Sequence, residues 1–67
     1  MMQALAPGTE VVIKEDGNKG KVESVIVYVE ADGHTLAIRY QVDDGGDYEE
    51  AELDPQPGMK VLEIDYL

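Results

Sequence analysis

The chain has 67 residues, 15 acidic side chains against 5 basic ones for a formal net charge of -10, and no cysteine, tryptophan or phenylalanine. That length holds one domain over residues 1–67, and a chain of this size buries only about 60% of its unfolded surface, so its core must be small. Disulfide scaffolds and thiolate metal sites are excluded, direct nucleic-acid binding is disfavoured because such binding runs on Lys and Arg displacing counterions, and no segment approaches the roughly 20 apolar residues of a membrane-spanning helix.

Residues 1–8 carry no basic residue and no long apolar run, so a secretory leader is not expected and the expected compartment is the cytoplasm. Residues 9–25 then read as a strand, a tight turn and a second strand. Val11 and Ile13 alternate inward, Gly17 and Gly20 permit the backbone of a reversal, and Val22 restarts the apolar pattern. From residue 22 to 29 the chain is almost wholly apolar. Val25, Val27 and Val29 share one parity, Ile26 and Tyr28 the other, and both faces are expected to be partly covered. Val22 is out of step with the odd-numbered valines, which predicts a bulge near Glu23 and Ser24.

Asp32-Gly33 predicts a hairpin with a type I′ turn. Residues 35–42 alternate, with Leu36, Ile38, Tyr40 and Val42 facing the core and Thr35, Ala37, Arg39 and Gln41 facing out. Residues 43–47 form a looser hairpin, and residues 48–53 a short strand placing Ala51 and Leu53 inward. The segment 54–58, with two prolines, reads as a turn or a single 3₁₀ turn. A last strand over 61–66 is expected to close the sheet with Leu62, Ile64 and Tyr66 inside.

Gly8, Val11, Ile13, Gly17, Gly20 and Val22 together resemble the KOW-type element of SH3-like barrels, a glycine-led strand, a glycine-bearing loop and a Gly-x-Val strand. The resemblance covers the first third of the chain. It implies a five-stranded antiparallel SH3-like barrel with a short 3₁₀ turn before the last strand. Members of this fold class bind RNA, ribosomal surfaces or peptides, and Tudor-type members read methylated side chains through aromatic cages, so the resemblance does not choose a function.

Seven carboxylates crowd one stretch: Asp43, Asp44, Asp47, Glu49, Glu50, Glu52 and Asp54, with no Lys or Arg between Tyr40 and Met59. They serve either as a solvated, edge-blunting surface or as a site that draws in a basic partner. Calcium is a weaker reading, because Gly45 stands where the second ligand of an Asp-x-Asp loop belongs. The lysines Lys14, Lys19 and Lys21 gather around the first turn.

The single His34 follows a turn, and Ser24 lies in no nucleophile motif, so neither an enzyme nor a cofactor is expected. Ile26 and Tyr28 suggest an apolar patch on the outer side of the long strand, for a partner or for self-association, while Tyr48 beside Asp47 and Glu49 supplies at most one corner of a cation cage. The expectation is a small acidic interaction module binding a basic protein partner, with Tyr48, Tyr28 and Ile26 adding apolar contact. Two alternatives stand beside it: a nucleic-acid-mimicking inhibitor of a DNA- or RNA-binding enzyme, and a structural subunit of viral or mobile-element origin, possible as a homo-oligomer.

Overall fold

In the computed structural model, which describes residues 2–65, every regular element is a strand except one 3₁₀ turn. The elements are β1 (Met2–Leu5), β2 (Glu10–Ile13), β3 (Lys19–Val29), β4 (Leu36–Val42), β5 (Asp47–Glu49), the 3₁₀ turn (Glu50–Glu52), β6 (Leu53–Pro55) and β7 (Val61–Ile64). They make two antiparallel sheets, one of five strands in the order β5-β4-β3-β2-β6 and one pairing β1 with β7.

Alternation in β2 sends Val11 and Ile13 into the core, opposite Gly20 and beside Leu53. The reversal to β3 is tied by Gly17 N–H to the Ile13 carbonyl at 2.8 Å, with Gly17 at a φ of 74° that a side chain would strain. The β3–β4 register then shifts between Val22 and Ser24, the bulge that the change of parity predicts.

At the tip of the β3–β4 hairpin the structure departs from expectation. No described non-glycine residue has a positive φ, so Asp32-Gly33 is not a type I′ turn. Gly33 N–H instead reaches the Glu30 carbonyl at 2.9 Å, and Glu30 N–H the Thr35 carbonyl at 2.7 Å. The cause is the Asp32 carboxylate, whose Oδ1 takes the N–H groups of His34 and Thr35 and so favours a local side-chain turn over a left-handed backbone.

Three further expectations are corrected. The stretch 48–53 is not one strand: Glu52 Oε1 takes the Glu49 N–H at 2.9 Å and winds residues 50–52 into the 3₁₀ turn, leaving Ala51 exposed while Leu53 is buried. Segment 54–58 accordingly holds the end of β6 and then a turn at Pro57-Gly58, and the 3₁₀ turn lies before it. The N–H groups of Lys14 and Gln56 bond to Glu52 and Glu10, a rhythm that points the Pro55 nitrogen away from β2, where its missing hydrogen costs no ladder bond. Finally, the strand over 61–64 pairs with β1 and not with the main sheet. Leu62 is exposed and Ile64 half-buried, and Tyr66 lies outside the described residues.

The five-stranded sheet is open, since no ladder joins its edges β5 and β6 among the described residues. Laid flat, its edges would stand about 19 Å apart, yet a three-residue 3₁₀ turn links them and rises only about 6 Å. The sheet must therefore curl. Inside the curl lie Val11, Ile13, Val22, Tyr40, Val42 and Leu53, closed over by Ala4 and Leu5 of β1.

The far half of β3 runs past this core. Its 11 residues extend about 36 Å at 3.3 Å per residue, close to the 34 Å long axis of the whole molecule. Ile26, Val27, Tyr28 and Val29 are 38–45% exposed, so neither face of this stretch is covered as the sequence suggests.

Candidate functional site

The acidic stretch 43–54 wraps the β4–β5 hairpin, the 3₁₀ turn and β6, and most of its carboxylates are held by the fold itself. Asp43 Oδ1 accepts the Lys21 N–H at 3.0 Å. Asp44 takes the Gly46 N–H and the Tyr48 hydroxyl, both at 2.7 Å, and these bonds, the tyrosine's first, hold its carboxyl below the ordinary carboxylate range. The same contact, with some desolvation, pushes the Tyr48 hydroxyl up to about 12. Glu50 receives the Tyr40 hydroxyl at 2.8 Å, and Glu52 the Glu49 N–H.

Arg39 is the cation that sequence spacing does not place here. Cross-strand register sets it opposite Glu49 on one side and Ile26 on the other. Its Nε lies 2.7 Å from Asp47 and its Nη1 3.3 Å from Glu49, and Nη2 also donates to the Asp47 carbonyl. The Asp47 hydrogen bond foremost raises the guanidinium pKa. Both pairs are partly solvated, the setting in which ion pairs contribute little stability. Their effect is placement: Asp47 and Glu49 are fixed in position on the sheet's outer face.

That face continues across β4 and β3. Ile26, opposite Arg39, and Tyr28, opposite Ala37, form an apolar strip, and Arg39 and Gln41 stand between it and the β5 carboxylates Glu49 and Asp47. Tyr48 does not join it. It sits opposite Tyr40, half-buried against the core side of the sheet, with its ring against Gly46. The structure thus unites Ile26, Tyr28, Asp47 and Glu49 on one face and puts Tyr48 on the other, a separation set by the parity of β5.

Elsewhere, Lys19 and Lys21 line a shallow cavity of about 540 Å³ with Glu10, Asp43, Gln56 and Pro57. The two acids in the same wall offset the two lysines. His34 is exposed at the hairpin tip, and Ser24 is half-buried on the outer face. Among the described residues no cluster of His, Asp and Glu could hold a metal ion, and no helix is long and apolar enough to cross a membrane. Compared with protein-family models, curated proteins and solved structures, the chain matches none of them.

Proposed function

We propose that this protein is a small non-enzymatic interaction module of the SH3-like kind, whose outer sheet face engages a basic protein partner. The strand order β5-β4-β3-β2-β6, with a 3₁₀ turn between the outermost two, supports the SH3-like reading, and the KOW-type residues fall on β2, β3, the turn between them and, for Gly8, the turn before β2. The row Ile26, Arg39, Glu49 carries the functional reading, because it puts an exposed apolar strip on the same face as carboxylates that the intervening Arg39 fixes in place. Fixed charges lose less entropy on binding than free ones, and seven acids nearby speed encounter with a cationic surface.

The structure decides which acids are suited to a test. Asp44 and Glu50 anchor Tyr48 and Tyr40, so changing them disturbs the fold. Asp47→Asn, Glu49→Gln and Asp54→Asn remove charge while keeping shape. Capture from lysate of the source organism, washed at low and high salt, should recover a basic protein at low salt with the wild-type chain and much less with the triple variant. Equal recovery by both chains, or recovery indifferent to salt, would sink the reading. Displacement of the partner by added DNA or RNA would shift it to a nucleic-acid mimic.

A further inference from the structure

Among the described residues the far half of β3 has one ladder partner where a strand in mid-sheet has two. Pairing with β2 covers Lys19, Gly20 and Lys21 and ends with the bonds between Val22 and the Gly8-Thr9 turn, while β4 accompanies β3 through to Val29. In an antiparallel ladder, alternate residues direct their N–H and C=O groups to opposite sides. Glu30 bonds to Thr35 across the hairpin, so the even residues Tyr28 and Ile26 face β4. Val25, Val27 and Val29 therefore aim their backbone groups at the open side.

Beyond the bulge at Val22–Ser24, this edge lacks the devices that keep sheet edges apart. The other edges of the five-stranded sheet are short: β5 has three residues, two of them acidic, and β6 has three with Asp54 and Pro55. Residues 24–29 are Ser-Val-Ile-Val-Tyr-Val, without charge, proline or glycine, in a chain of which 30% is charged. Such a run is the kind that pairs with another strand.

We propose that the free edge of β3 is a self-association site, where a second copy of this chain adds its own β3 antiparallel about a two-fold axis through Val27. That register sets Val27 against Val27 and Val25 against Val29 of the second copy, and it satisfies the outward backbone groups with about six hydrogen bonds. Ile26 meets Tyr28 of the second copy on the outer face, and Ser24 meets Glu30. No acid then faces an acid along the strand. For two chains of charge -10 this matters, because like charges set directly opposite oppose pairing. A cationic partner, by contrast, finds no charge here to pair with.

The contact joins one six-residue edge and a few half-exposed side chains, placing it in the class of weak interfaces that bury less than about 1,200 Å². The dimer is accordingly concentration-dependent. It rests on the backbone of β3 and not on the basic-partner reading, and no partner is needed to test it.

Sedimentation of the purified chain in moderate salt, from about 5 µM to about 0.5 mM, reads association down to roughly millimolar affinity. The weight-average mass should rise from monomer towards dimer. Val27→Lys and Val27→Pro remove no hydrogen bond of the β3–β4 ladder, because the Val27 N–H faces the open side, though both change the side chain opposite Ile38; they should stay monomeric with the wild-type circular dichroism. Because the chain has no cysteine, Val27→Cys provides a second measurement. A hydrogen-bonded pair holds its Cβ atoms about 5.5 Å apart, too far for an unstrained disulfide but within reach of a short bis-maleimide, so that reagent should cross-link this variant about tenfold faster than Glu63→Cys on β7. Monomeric mass throughout, mass growing without limit, or equal cross-linking of the two cysteine variants would each overturn the proposal.

Discussion

The Tyr40 hydroxyl donates to the Glu50 carboxylate at 2.8 Å while accepting the buried Leu5 N–H at 3.0 Å. One oxygen thus joins β4, the 3₁₀ turn and β1, which are brought together from 10 and 35 residues apart in the chain. Tyr40→Phe keeps the ring's packing but leaves the Leu5 N–H without a partner in the core. An unsatisfied buried donor costs about 1–3 kcal/mol. In a domain of this size each kcal/mol lowers Tm by roughly 4–8 °C. Glu50→Gln retains an acceptor and should cost less than Tyr40→Phe. Urea midpoints compare the two, and an unchanged midpoint for Tyr40→Phe would remove the hydroxyl from the account of stability.

Burial first pushes the Tyr40 hydroxyl up to about 12 from an ordinary value of 10.0; the Leu5 N–H pulls it down in part, and the Glu50 hydrogen bond and charge add a lesser upward push. The folded state therefore holds this proton more tightly than the unfolded state. Stability from this group is fully present below pH 10 and is lost as pH rises through about 12. Unfolding free energies measured from pH 9 to 12 should fall for the wild-type chain. They should fall less steeply for Tyr40→Phe, and identical slopes would contradict the linkage.

Much of this arrangement can be read from alternation, and the limits of that reading are physical. Val11, Ile13, Tyr40 and Val42 are buried as their parity demands, and the change of parity after Val22 marks the bulge. Parity gives the face a side chain occupies, not whether a core lies beneath it. Val27 and Val29 share a face with Val25, yet they overhang the core and stand in solvent. Strand β1 was not legible because Met2, Gln3, Ala4 and Leu5 include no β-branched or aromatic residue, and its partner is about 60 residues away. The acids of the site stand out by composition. Their engagement with Arg39, Tyr40 and Tyr48 depends on cross-strand register, which only the folded sheet sets.

Gly20 leaves no room for a side chain against the core. A Cβ at this position would lie 2.5 Å from Val42 Cγ1 and 3.0 Å from Asp43 Oδ1. Val42 is itself fully enclosed, so relief requires β3 and β4 to shift. Gly20→Ala should destabilise the fold by about 1–3 kcal/mol, as overpacked sites do. Gly46→Ala provides the contrast. There the obstruction is the Tyr48 ring, a half-buried side chain able to swing outward, so the cost should be smaller and Tyr48 fluorescence should change. Chemical denaturation of both variants decides the order, and a Gly20→Ala protein as stable as wild type would refute the packing argument.

Asp32 holds the hairpin tip through Oδ1, which accepts from His34 N–H at 2.8 Å and Thr35 N–H at 2.9 Å, and through Oδ2, which takes the Thr35 hydroxyl. Those bonds, the Thr35 hydroxyl's first, lower its carboxyl to about 2 from 3.8. A depressed folded-state pKa stabilises the charged form, so the tip is held fully above pH 4 and loosens as pH falls through about 2. The group is fully solvated, and the effect should be local. Between pH 4 and 2 the Thr35 and His34 amide resonances should move together and lose their downfield shifts, while those of Val11 and Val42 stay in place. Asp32→Ala should produce the same change at neutral pH. Unmoved tip amides in that variant would show that the turn stands without the carboxylate.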